Sequence, residues 1–306
     1  MEQKKLEQPV SLQQLIMQQI EVCQKENRLG TAMNYRRALR RLDQFTGGRG
    51  LPLESITAEW AAAYEASLIG QGLTRNSVSF YIRILRAAFN KAVQRGLVPP
   101  SAPFRRVYTG VERTRKRAVS TSVVKLLLQA DLSGSRTLSF VRDLYLFSFC
   151  TRGMAFIDVA FLRRTDVRDG FIYYTRRKTG RSLVVRIEPL IAKLITRYNS
   201  QMSPYVFPIL HSNDAKEAYG QYRVALNYYN RLLHRLSNRL HLPHPLTFHT
   251  ARHGWATAAR KAGAPVSEIS EALGHSMERT THIYLASIEN SVVDKLNSSI
   301  LTSIVK

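Results

Sequence analysis

Residues 249–286 read HTARHGWATAARKAGAPVSEISEALGHSMERTTHIYLA, and this stretch decides how the whole chain is read. His249 and Arg252 are three apart, so on a helix they share a face. Gly263 and Pro265 punctuate the break before a second helix that runs to Gly274. His275 sits just beyond that glycine. Ser276 can cap a last helix that carries Tyr284 about two turns along. The set suits metal-free phosphoryl transfer. A phosphodiester in flight gains charge on its non-bridging oxygens, and a planar guanidinium meets two of them at once. A phenol needs a base to become a nucleophile, and an imidazole can serve. The leaving 5′-oxygen needs a proton, which a lysine on a turn can supply.

Working outward, residues 171–187, FIYYTRRKTGRSLVVRI, read as two strands around a turn at Lys178, Thr179 and Gly180. Helices are expected from Thr121 or Ser122, over about Ser139 to Thr151, and over about Gly220 to Leu240. Upstream, LVPPSAPFRRVYTGVERTRKRAV breaks helix with Pro99, Pro100 and Pro103. It then sets Arg105, Arg106, Arg113, Arg115, Lys116 and Arg117 against Glu112 alone, a boundary that doubles as a basic strap. The first hundred residues read as four helices. Ser11, Thr31, Thr57 and Thr74 are their caps, and stops are expected near Gly30, at Gly47, near Gly70 to Gly72 and at Gly96. Arg75, Arg83, Arg86 and Lys91 decorate the fourth. They form either a solvated face or a row of phosphate contacts.

Composition agrees with a nucleic-acid partner. The 306 residues carry 45 Lys+Arg against 22 Asp+Glu, a formal charge of +23. Self-repulsion of that size favours a polyanionic partner. At 44% hydrophobic the chain can bury a sizeable core. Cys23 and Cys150 lie far apart in apolar contexts and read as reduced thiols. His241 and His244 flank Pro243 without acidic or cysteine partners, so no metal site is expected. The N-terminus has no apolar signal segment and no run is long enough to span a bilayer. The expectation is a cytoplasmic protein with no membrane partner.

HTARH, ALGHS and a tyrosine nine residues beyond the second histidine match the HxxR, LGH, Tyr signature of the tyrosine recombinase and phage integrase family. The resemblance extends over nearly the whole chain, and CTRGMAFIDVAFL at 150–162 resembles recombinases of the Bacteroidetes type. It implies a mainly α fold with a small β-sheet. A SAM-like four-helix core-binding domain is expected at 9–96 and a basic linker at 97–117. An α+β catalytic domain follows at 118–306, with a helical tail from about 291. It implies roles as well: Tyr284 as nucleophile, Arg252 as phosphate clamp, His249 as acceptor of the tyrosine proton, His275 as support for the transition state and Lys178 as general acid. One departure stands out. Aligned on Asp158, the usual first arginine of the family falls on Ala155. Arg152, three residues earlier, reaches the same place if this stretch is helical; otherwise the charge comes from elsewhere. Asp158 is read as orienting a neighbour.

The activity implied is site-specific integration, excision or inversion through a 3′-phosphotyrosine, without cofactor, metal or ATP. The alternatives are a type IB topoisomerase-like enzyme and a non-catalytic DNA-binding protein of the same fold. Implied partners are double-stranded DNA with short inverted core repeats, an accessory DNA-bending factor and three further copies of the chain. The chain is then a monomer free in solution, a tetramer on paired sites and nucleoid-associated. The apolar stripe Val292, Val293, Leu296, Ile300, Leu301 and Ile304 either packs on its own domain or docks on a neighbour.

Overall fold

The computed structural model describes residues 10–112, 119–198 and 203–285, apart from the side chains of residues 279 and 283–285. Among the described residues the chain is mainly helical with one three-stranded sheet. It divides into two compact units, Met1–Arg113 and Thr114–Lys306.

The first unit is four helices, α1 (Leu12–Lys25), α2 (Leu29–Thr46), α3 (Ala58–Gly70) and α4 (Arg75–Gln94). The hydroxyls at Ser11, Thr57 and Thr74 cap α1, α3 and α4 by accepting from Gln14, Trp60 and Ser77 backbone N–H groups. Each such cap is worth about 1 kcal/mol. The α1–α2 boundary differs from the sequence reading. The turn comes at Asn27, whose φ of 54° takes the left-handed role expected of Gly30. Arg28 then donates its backbone N–H to Cys23 O at 2.7 Å. Gly30 and Thr31 therefore fall inside the first turn of α2. Leu12, Ile16, Leu42, Tyr64, Leu68, Ile82, Leu85 and Phe89 form the core. Val98, Phe104 and Val107 join it, so the chain after α4 packs on this unit before reaching residue 113.

The second unit comprises α5 (Thr121–Gln129), α6 (Arg136–Cys150), α7 (Phe156–Ala160), β1 (Val167–Arg168), β2 (Phe171–Thr175), β3 (Ser182–Arg186), α8 (Pro189–Tyr198), α9 (Ala215–Arg239), α10 (Phe248–Lys261), α11 (Val266–Ala272) and α12 (Glu278–Leu285). Helix α6 is its axis. Leu144, Tyr145, Leu146 and Phe147 are consecutive and all buried, because α5, α8, α9 and α10 surround the helix. Burying each such side chain contributes about 1.5–3 kcal/mol. The sheet is antiparallel in the order β1-β2-β3. Ile172 pairs with Val185 and Tyr174 with Leu183. Strands alternate faces, so Ile172 and Tyr174 share one face and Arg176, just past β2, continues its parity. No described helix is long and apolar enough to cross a membrane.

Candidate active site

The start of α10 is fixed from three directions. Thr247 caps it with a reciprocal bond to Thr250. The Tyr145 hydroxyl lies 3.3 Å from Thr250 Oγ1. The Phe248 ring stacks on Phe156 at 4.1 Å. These contacts set the phase of the first two turns. His249 is exposed, Arg252 is buried, and the His249 and His253 rings meet edge-on at 4.4 Å.

Arg252 reaches across to two backbone segments. Its Nη1 donates to Gly153 O at 2.8 Å, and Nη2 donates to Leu273 O. Gly153 has φ +69°, and a Cβ there would lie 2.8 Å from Arg252 Cα. The turn after α6 is therefore pressed against the arginine, and only glycine fits.

Leu273, Gly274 and His275 form the exit from α11. A helix end leaves carbonyls without intrahelical partners, and cations stabilise them. Here the C-cap carbonyl of Leu273 and the two that follow it all take side-chain donors. Leu273 O accepts from Arg252. Gly274 O accepts from Arg176 Nη1 at 2.6 Å and from Thr179 Oγ1 at 3.1 Å. His275 O accepts from Arg181 Nη1 at 2.5 Å. The last three donors all lie on the β2–β3 turn, which also carries Lys178. Gly274 is left-handed at φ +63°, and a Cβ would sit 2.9 Å from Leu183 Cδ1 and 3.1 Å from Arg176 Cδ. The other side of the turn is pinned by Asp158, whose Oδ1 accepts from Arg177 N at 2.9 Å.

His275 is buried, with Nε2 3.2 Å from Arg252 Nη2 and Nδ1 2.8 Å from Thr281 Oγ1. A guanidinium only donates. Nε2 is therefore the acceptor, and the ring proton sits on Nδ1, which donates to Thr281. Burial pushes the imidazole pKa down to about 3, aided by the charges of Arg252, Arg176 and Lys178. The ring is neutral at physiological pH. Asp158 is moved the other way: burial raises its pKa, opposed by the Arg177 N–H and by Arg176, Arg252 and Arg177. Burial likewise raises the Tyr174 phenol, with Asp158 adding and Arg252, Arg176 and Arg152 opposing.

The sequence-derived set is thus brought together in part. Arg252, His275 and the Lys178 turn converge on the α11 exit, with Lys178 exposed. Tyr284 lies in α12 three residues beyond Thr281, the partner of His275; its side chain is outside the described residues. Arg152 lies beside Gly153, but the helical route to the position of Ala155 is wrong. Helix α6 ends at Cys150, and Arg152 is an exposed turn residue with φ 59°. Arg176 was missed altogether. Its signal was parity: it stands two residues past Tyr174 and four past the buried Ile172.

In the first unit, Arg75 pairs with Glu112 at 3.0 Å and lies 4.4 Å over the Tyr108 ring. Arg83 Nε donates to Ser79 O, and Arg86 Nη1 to Thr109 Oγ1, both at 3.3 Å. Lys91 Nζ donates to Gln19 Oε1. Arg105 and Arg106 are exposed. Arg113, Arg115, Lys116 and Arg117, and the tail from 291, lie outside the described residues.

Comparison with known proteins places this geometry. Residues 11–107 match the model of the phage integrase SAM-like domain, and residues 121–290 match that of the phage integrase family. The chain is similar to the tyrosine recombinase XerD of Pseudomonas aeruginosa, at 24% identity over 263 residues, 82% of this chain and 84% of that protein. Its fold resembles lambda integrase in a dimer bound to a core site, with a TM-score of 0.65 at 16% identity, covering 88% of this chain and 96% of the other. It also resembles the integrase of transposon Tn1549 in complex with a circular intermediate DNA, with a TM-score of 0.63 at 17% identity, covering 90% and 94%. A buried arginine, a neutral histidine and a hairpin turn gathered at one helix exit, on a chain matched along most of its length, have one joint reading: the chain belongs to the phage integrase family of tyrosine recombinases.

Proposed function

We propose that the protein carries out site-specific recombination, cutting and rejoining DNA through a 3′-phosphotyrosine at Tyr284. The observation that carries the reading is the gathering of Arg252, His275 and the Lys178 turn at the exit of α11, just before the short helix that carries Tyr284. The Tyr284 oxygen attacks the scissile phosphorus and the bond from phosphorus to the 5′-oxygen breaks. His249 takes the phenolic proton and Lys178 gives one to the leaving 5′-oxygen. Arg252 stabilises the charge on the non-bridging oxygens, where preorganised donors act most strongly. Neutral His275 holds Arg252 on one side and α12 on the other. Attack by a 5′-hydroxyl reverses every step, so phosphorus keeps its bond count and neither metal nor ATP is needed.

The substrate in this reading is duplex DNA with short inverted repeats, gripped by Arg75, Arg83, Arg86, Lys91, Arg105 and Arg106 together with the strap at 113–117. Four protomers assemble on paired sites, as in the lambda integrase tetramer solved on a Holliday junction, and the tail docks on a neighbour. A nicked suicide substrate run on a denaturing gel tests the chemistry. The parent should form a covalent adduct, and Tyr284→Phe should bind the DNA without forming one. An adduct in the mutant would move the nucleophile elsewhere. Relaxation of supercoils by a monomer without site preference would make the enzyme a topoisomerase.

A further inference from the structure

Arg176 and Arg252 are the two buried arginines among the described residues, at 5% and 3% exposure. Arg176 has no carboxylate partner there. Its Nη1 is spent on Gly274 O, while its Nε is buried and has no hydrogen-bond partner among the described residues. A full charge held in the interior by a neutral carbonyl, with a donor left over, is costly unless an anion completes it. Asp158 is near enough to act on this charge, but its Oδ1 accepts from the Arg177 backbone N–H and it makes no ion pair with Arg176, whose Nε stays unpartnered among the described residues.

The neighbours say which anion. Arg252 and Arg176 donate to the adjacent carbonyls of Leu273 and Gly274, so both guanidiniums reach the same helix exit. Both act on His275. The exposed Lys178 is two residues from Arg176 on the same turn. We infer that Arg176 is a second phosphate-binding arginine of the active site, its Nε–H directed to a non-bridging oxygen of the scissile phosphate beside Arg252. It supplies from the hairpin the guanidinium that the sequence lacks at Ala155. Arg152, exposed on its left-handed turn, is not required. The assignment rests on the recombinase reading above and adds a residue to it.

Two measurements decide it. The first compares cleavage of a phosphodiester with cleavage of a substrate carrying a methylphosphonate at the scissile position, where one charged oxygen is replaced by methyl. Removing a transition-state donor lowers rate by about 10²–10³. Arg176→Ala should show that loss on the phosphodiester and recover most of it on the methylphosphonate, because the charge it answers is gone. Arg152→Ala should stay within about threefold of the parent on both. Equal losses for Arg176→Ala on both substrates would make it a prop for Gly274, and rescue of Arg152→Ala instead would give the role to Arg152. The second measurement uses the full chain and no activity. In proton–nitrogen correlation spectra, the arginine Nε–H signal that Arg176→Lys removes should shift saturably on addition of orthovanadate. A signal that stays put overturns the assignment even if Tyr284 forms its adduct. A signal that shifts in a protein that forms no adduct leaves the anion site standing and sinks the recombinase reading.

Discussion

Gly153→Ala tests whether the turn after α6 sets the position of Arg252. Two effects combine at this residue. An L-residue held at φ +69° costs roughly 1–2 kcal/mol. The added Cβ would also stand 2.8 Å from Arg252 Cα and 3.0 Å from its Cγ. Relief takes about 0.7 Å of movement, since ordinary carbon contacts begin near 3.5 Å. Helix α10 cannot yield freely, because its start is capped by Thr247 and stacked through Phe248. The shift therefore falls on the Arg252 side chain or on Gly153 O, which accepts its Nη1. Misplacement on the order of 1 Å costs about 10²-fold in rate. Gly170→Ala is the control, with φ +76° and nothing within 4 Å of its Cβ. Gly170→Ala should melt lower by about 2–8 °C for a unit of this size, and Gly153→Ala, which adds the clash, by at least as much. Only Gly153→Ala should lose about 10²-fold in suicide-substrate cleavage at unchanged DNA affinity. If the two variants cleave alike, the contact does not position Arg252 and the reasoning fails.

Further outcomes follow from the same site. The folded pKa of His275 lies below the value of 6.5 that it takes when exposed. Between pH 6.5 and about 3 the unfolded chain binds the extra proton, so the stability held at neutral pH is lost as pH falls through that window, by at most about 1.4 kcal/mol per pH unit. Urea unfolding of the parent and His275→Gln should show a gap that closes on acidification, and a constant gap would count against a neutral buried ring. Asp158→Ala should lose about 1–3 kcal/mol by orphaning the Arg177 N–H, while Asp158→Asn keeps an acceptor and most of the stability; equal losses would point to charge instead. Replacing Arg83 and Arg86 together with Gln should flatten the log–log salt dependence of DNA binding by about 1.8, and an unchanged slope would take that face of α4 off the DNA.

The sequence made legible whatever rests on local chemistry. Hydroxyls at Ser11, Thr57 and Thr74 mark helix starts because each can take a backbone N–H. The hairpin at 171–187 shows itself through β-branched and aromatic runs around Gly180. The order of His249, Arg252, His275 and Tyr284 carries the family. What stayed hidden depended on backbone sign or on distant partners. Asn27 took the left-handed turn that Gly30 suggested, since either residue tolerates positive φ. The apolar run of α6 reads to about Thr151, close to its end at Cys150, but the helical path from Arg152 to the position of Ala155 is a turn instead. The glycine that follows was the cue, and its reason is the approach of Arg252, 99 residues away.

Arg176 shows why composition misleads at such a site. In TRRKTGR it is one cation of four and resembles a solvated turn. Strand parity separates it from its neighbours. Arg177 turns outward, its guanidinium 3.7 Å from the Phe161 ring centroid, whereas Arg176 follows Ile172 and Tyr174 inward. Parity alone does not make a buried cation affordable. The α11 exit does, because its carbonyls offer a favourable end for positive charge, and Gly274 lets the hairpin approach to contact distance. The burial and charge that leave His275 neutral and the donor left over on Arg176 are therefore two results of one arrangement, cations crowded into a buried helix exit.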